Sequence, residues 1–168
     1  MISAFIIAAT TADGFIAKDG NHSPMSWTSK DDKTRFIELT KRAGVVIMGS
    51  RTFETLPHPL KDRLNIVYSR SKKFDGVEVT QEPPETLLQN LEKRGFTEAA
   101  VCGGSKTYTA FIKARAVDRI YLTVEPVLFG QGIPLFCEPL DPECRLELVS
   151  SNPTPCGTLF LEYKVVYR

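Results

Sequence analysis

Eight short apolar runs, most of them rich in β-branched or aromatic residues, recur along the 168-residue chain, with only four amphipathic stretches between them. The runs are SAFIIAA (3 to 9), GVVIMG (44 to 49), LNIVYS (64 to 69), VEVT (77 to 80), EAAVCG (98 to 103), DRIYLTVEPV (118 to 127), RLELVSS (145 to 151) and LFLEYKVVY (159 to 167). Most are of strand length, too short for a helix, and turn-forming residues bound them. Helices are expected at about 29 to 43, at 50 to 56, at 84 to 94 after EPP, and at about 104 to 114 after GG. Parallel neighbours need a crossover, and four helices are too few to separate eight strands. The last two strands follow each other without a helix, and the final one alternates Leu159, Leu161, Tyr163 and Val165 against Glu162 and Lys164. The class is therefore α/β in one domain spanning 1–168, with a mixed sheet that is parallel in its core and antiparallel at its C-terminal end.

A chain of this length buries about 70% of the surface its unfolded form exposes, enough core to carry a pocket. With 21 basic and 20 acidic residues and no basic run of five, it lacks the long-range field that draws proteins to nucleic acid or membranes. A small-molecule partner is expected. Cys102, Cys137, Cys144 and Cys156 form no C-x-x-C pair, and His22 and His58 have no metal-ligand spacing, so no metal site is expected. The N-terminal apolar run is short and has no basic leader. A cytoplasmic monomer with reduced cysteines is the expectation.

Three strand ends share one grammar. VCGGSKTYTAF (101 to 111) runs from a strand through Gly103-Gly104 into a helix opening on Ser105 and Lys106. Paired glycines let backbone approach a ligand, and helix N-terminal amides attract phosphate, although two glycines also serve a plain tight turn. IMGSRTFETL (47 to 56) places Ser50, Arg51 and Thr52 after Gly49, and NIVYSRS (65 to 71) ends in Ser69, Arg70 and Ser71. Each is either a solvated loop or, taken together, a phosphate site where α/β sheets place ligands. Arg63, just before a strand, either faces solvent or holds a substrate carboxylate. The polar loop ADGFIAKDGNHSPMSW (12 to 27) is either a lid or surface filler.

In SWTSKDDKTRFIELTKR (26 to 42), helical spacing groups Asp32 with Phe36 and Leu39/Thr40, and Asp31 with Arg35 and Glu38. Asp32 thus falls on the apolar face. It either completes a capping box with Ser29 as N-cap or is a buried pocket acid with a raised pKa.

Taken in order, SW, DDKTRF, VVIMGSRTFETL, PLKDRLNIVYSR, VCGGSKTYTAF and RIYLT resemble dihydrofolate reductase along most of the chain. The resemblance implies a central eight-stranded mixed sheet flanked by about four helices, and NADPH-dependent reduction of dihydrofolate to tetrahydrofolate. It implies that Asp32 binds the pterin's amidine-like edge with support from Thr123, and that Trp27 belongs with them in catalysis. By the same resemblance Ile7, Ala8, Lys33, Phe36, Leu56 and Arg63 contact substrate, Arg63 through the glutamate tail's carboxylate. For the cofactor it implies Ala9 from the first strand, Ile16 and Met25 from a closing loop, Ser50, Arg51, Ser69 and Arg70 around the 2′-phosphate, and Gly49, Thr52 and Ser71 as further contacts. Cys102, Gly103, Gly104, Ser105, Lys106, Thr107 and Tyr108 match the pyrophosphate loop and its helix.

Lys33 stands where the family usually has an apolar residue, Ser105 replaces the third glycine of a triplet, and MSW lacks the usual proline. VEPVLFGQGIPLF (124 to 136) is similar to the riboflavin-pathway pyrimidine reductase domain of the same fold. A reductase of a related pterin or pyrimidine is thus the alternative, and a nucleotide-binding homologue without catalysis is another.

Overall fold

The computed structural model of the chain describes residues 1–140 and 143–167. Its strands are β1 (Ser3–Thr11), β2 (Phe15–Ala17), β3 (Val45–Gly49), β4 (Leu64–Tyr68), β5 (Glu78–Thr80), β6 (Glu98–Gly103), β7 (Arg119–Glu125), β8 (Ile133–Pro134), β9 (Arg145–Pro153) and β10 (Leu159–Val166). The helices are α1 (Lys30–Ala43), α2 (Ser50–Glu54), α3 (Pro84–Lys93) and α4 (Ser105–Lys113). Eight strands form one sheet in the order β5-β4-β3-β6-β1-β7-β10-β9. All pairs from β5 to β7 are parallel, and β10 is antiparallel to both β7 and β9. The expected mixed sheet is observed, with the expected change of sense at the C-terminal end.

Strand alternation sorts the core into two layers. Ile2, Ala4, Ile6 and Ala8 pack with Leu87, Leu88 and Leu91 of α3 and Tyr108, Phe111 and Ile112 of α4. Phe5 and Ile7 pack on the other side with Ala43 of α1, Phe53 of α2 and Tyr121 of β7. β1 is covered on both faces, which explains its unbroken apolar run. Pro84 starts α3 because its missing N–H is an orphan at that position anyway. Gly44 ends α1 in the left-handed region, φ 74°, so β3 begins one residue later than expected.

Three further expectations change. The loop at 12–27 is not structureless: β2 pairs with β8 in a second, two-stranded sheet, and Pro24–Ser26 form a 3-10 turn. The apolar positions of β2 and β8 were too few for periodicity to reveal. Arg35 does not share an outward face with Asp31 and Glu38. Its guanidinium turns inward and donates to Leu122 O at 3.3 Å and Leu161 O at 3.1 Å. A long charged side chain can be buried where strand carbonyls accept its protons. The expected α2 stops at Glu54, which leaves Leu56 just beyond it.

Candidate active site

A cleft of about 1230 Å³ opens along the C-terminal ends of β1, β3, β4 and β6, between the sheet, α1 and the loop that carries β2. This is where open parallel sheets usually bind ligands. Its wall collects residues from the distant motifs: Ile7, Ala8 and Ala9; Ile16 and Met25; Asp32, Lys33, Phe36 and Leu56; and Arg63. Gly49 to Thr52, Ser69 to Ser71 and Cys102 to Tyr108 complete it.

Asp32 sits in the first turn of α1, and the capping question is answered by its neighbours. Ser29 is the N-cap, and its Oγ accepts from the Asp32 N–H at 3.1 Å. The Ser29 N–H donates to Glu125 Oε1 at 2.8 Å, so the reciprocal half of the capping box comes from β7. The Asp32 carboxylate is left for the cleft. Burial, reinforced by nearby Glu125, raises its pKa above the ordinary 3.8, against the pull of the Thr123 and Thr28 hydroxyls and of Arg35, which favour the charged form. Thr123 itself is buried behind the wall, opposite Ala9 in the sheet. Trp27 also lies behind the lining, where its ring packs at 5.1 Å from Phe129 and 6.4 Å from His22.

Farther along α1, Arg63 is fixed at the cleft wall by Nε donating to Lys61 O at 2.8 Å and Nη1 to Thr40 Oγ1 at 2.8 Å. Burial lowers its pKa. Cys102 lines the same cleft, and burial pushes its thiol up to about 12, so it stays protonated and inert.

The strand-to-helix turns at Gly49 and Gly103-Gly104 pack against each other. The peptide between Gly103 and Gly104 is cis, and Gly103 has φ 132°. A Cβ on Gly103 would meet Thr52 at 3.2 Å, one on Gly104 would meet Thr52 Oγ1 at 3.1 Å, and one on Gly49 would meet Thr107 Oγ1 at 3.1 Å. The left-handed φ at Gly103 favours glycine, and side chains at Gly49 or Gly104 would crowd Thr107 and Thr52 in the cradle at the N-terminus of α4. Ser105 Oγ, buried at that N-terminus and on the cleft lining, has no hydrogen-bond partner among the described residues. An orphaned hydroxyl beside free helix amides, with Arg51, Ser69 and Arg70 on the same wall, suits a phosphorylated cofactor. Among the described residues no cluster of His, Cys, Asp or Glu suits a metal ion, and no helix is long and apolar enough to cross a membrane.

Thr28, Lys72, Thr80 and Gln81 also line the cleft and were not anticipated. Glu125 had a readable signal, since period two in RIYLTVE puts it on the face of Tyr121 and Thr123.

The family model for dihydrofolate reductase matches residues 2–127. The chain belongs to the dihydrofolate reductase family. It is 34% identical over 122 residues to dihydrofolate reductase type 3 of Salmonella typhimurium, covering 70% of this chain and 68% of that one. It is 28% identical over 149 residues to the uncharacterized protein YwjB of Bacillus subtilis, covering 83% and 85%. Among solved structures, a putative riboflavin biosynthesis protein from Shewanella superposes with a TM-score of 0.84 at 22% identity, covering 99% of this chain and 100% of that one. Dihydrofolate reductase from Enterococcus faecalis, complexed with NADP(H), superposes with a TM-score of 0.79 at 24% identity, covering 98% and 97%. These two likenesses establish the fold. Membership of the family makes the chain an oxidoreductase in class, which leaves its substrate to be argued from the site.

Proposed function

We propose that the chain is an NADPH-dependent dihydrofolate reductase, reducing 7,8-dihydrofolate to 5,6,7,8-tetrahydrofolate. The observation that carries this reading is the Asp32 carboxylate, free of helix capping and facing the cleft that Arg63 also lines. A carboxylate in such a setting accepts the paired donors of an amidine-like ring edge and favours the ring's protonated form. Phe36 and Leu56 offer apolar cover, and Arg63 offers a guanidinium to the carboxylate of a glutamate tail.

The glycine cradle would hold NADPH, whose chemistry would be the supply of hydride. Gly103 to Thr107 would hold its pyrophosphate, and Ser50, Arg51, Ser69 and Arg70 its 2′-phosphate. Ile16 and Met25, on the loop that β2 and β8 tether, line the cleft, and the burial of Asp32 strengthens the action of its carboxylate on a bound ring.

A second reading, a reductase of a riboflavin-pathway pyrimidine, is favoured by the segment at 124–136 and by the Shewanella likeness. Arg63 speaks for dihydrofolate, since a pyrimidine ribityl phosphate has no glutamate tail. NADPH oxidation measured with each substrate in turn tests the choice. Turnover of dihydrofolate supports the first reading, and turnover of the pyrimidine alone replaces it with the second.

A further inference from the structure

Glu125 is a carboxylate that the proposed reaction does not use, yet it is only 3% exposed. Its two oxygens are both engaged: Oε1 accepts from Ser29 N–H at 2.8 Å and Oε2 from the Thr158 hydroxyl at 2.7 Å. The Ser29 Oγ in turn accepts from the Asp32 N–H, so one residue ties the Glu125 carboxylate to the backbone of Asp32 and holds the two acids close together. On the other flank stands Arg35, one helical turn beyond Asp32. Its guanidinium lies 4.6 Å from the Phe160 ring centroid and 5.4 Å from that of Tyr121, and reaches Thr123 Oγ1 at 3.5 Å. Thr123 is also a hydroxyl that favours the charged form of Asp32. Asp32 therefore has an anion on one flank, held through Ser29 and its own backbone N–H, and a cation on the other, one helical turn away.

We propose that Glu125 and Arg35 are positioning residues that set, with opposite signs, the pH at which Asp32 ionises. Neither charge is demanded by the hydrogen bonds it makes. A glutamine at 125 would accept from Ser29 through its oxygen, and the Thr158 hydroxyl could turn to accept from its amide nitrogen. What glutamine would not supply is the negative charge, and in a buried setting that charge acts strongly on its neighbour. The remaining charged or titratable groups are placed differently. Asp31 and Lys33 flank Asp32 on α1, with Asp31 exposed. Glu162 of β10 and Tyr121 of β7 act on Arg35, and Tyr108 of α4 feels Asp32 through a phenol that burial keeps protonated.

The catalytic consequence rests on the reductase reading, whereas the titration does not. The test is a ¹³C carboxyl NMR titration of Asp32, assigned with D32N, in the wild type, Glu125→Gln and Arg35→Met, with the pH profile of kcat/KM for dihydrofolate recorded alongside. Removing the anion lowers the Asp32 midpoint and removing the cation raises it, each by about half a pH unit or more. Arg35→Lys keeps the midpoint near the wild-type value. Unchanged midpoints, or midpoints that move in the same direction in both variants, overturn the proposal. If Arg35→Met does not fold, Glu125→Gln and Arg35→Lys decide it. Opposite NMR shifts with no turnover of dihydrofolate uphold the proposal and overturn the reductase reading instead.

Discussion

Replacing Asp32 by asparagine keeps the size and shape of the side chain and removes its charge, which separates chemistry from capping. The cap uses the Asp32 N–H and the Ser29 Oγ, and Glu125 supplies the reciprocal bond, so the substitution leaves α1 intact. Its effect on turnover is that of losing the group that favours the protonated ring, about 10²- to 10⁴-fold, or roughly 2.7 to 5.4 kcal/mol of barrier. Its effect on stability has the opposite sign. Burial holds the Asp32 pKa above its unfolded value, so the folded protein binds the proton more tightly than the unfolded chain. The resulting contribution is full below about pH 3.9 and is lost as the pH rises through the folded value. At neutral pH the wild type therefore carries a cost of about 1.4 kcal/mol for each pH unit of that raise, which asparagine avoids. NADPH consumption with saturating dihydrofolate, together with urea melts at several pH values, measures both. The expected variant is at least about a hundredfold slower at pH 7 and as stable as the wild type or more so. Wild-type turnover, or a clear loss of stability at neutral pH, would refute the reasoning and return Asp32 to a capping role.

Arg63→Leu should raise KM for dihydrofolate about ten- to a hundredfold with little change in kcat, as expected for a charge-assisted contact made equally in ground and transition states. Steady-state kinetics check this, and an equal fall in kcat would contradict it. Arg51→Ala combined with Arg70→Ala should erode the preference for NADPH over NADH about tenfold or more, read as the ratio of their dissociation constants. Ser29→Ala removes the N-cap hydroxyl of α1 and should cost about 1 kcal/mol in a urea melt; no loss would mean that the bond to Glu125 alone holds the helix start.

The strands and helices were legible because each carries its period in its own residues. β1 reads as a strand covered on both sides, β10 as one with a wetter face, and α3 and α4 announce their starts with Pro84 and Gly104. β2 and β8 were not legible, because three and two residues are too few to show a period and the two exist only by pairing with each other. Most of the cleft was legible through collinear motifs, since strand ends and helix starts of a parallel sheet converge on one edge. Lys72, Thr80 and Gln81 escaped because nothing local separates them from solvated loop residues.

By itself the sequence determined that the chain forms a mixed α/β sheet, and that Asp32 rather than Asp31 falls on the apolar side of its helix. Both follow from short-range periodicity, which spacing alone expresses. Only the tertiary structure freed the Asp32 carboxylate from capping, because Glu125, 96 residues beyond Ser29, takes the bond from the Ser29 N–H. It likewise turned Arg35 inward, since the carbonyls that receive it belong to Leu122 and Leu161 on neighbouring strands. The partners of a buried charge are chosen by strand register, and register is a property of the assembled sheet.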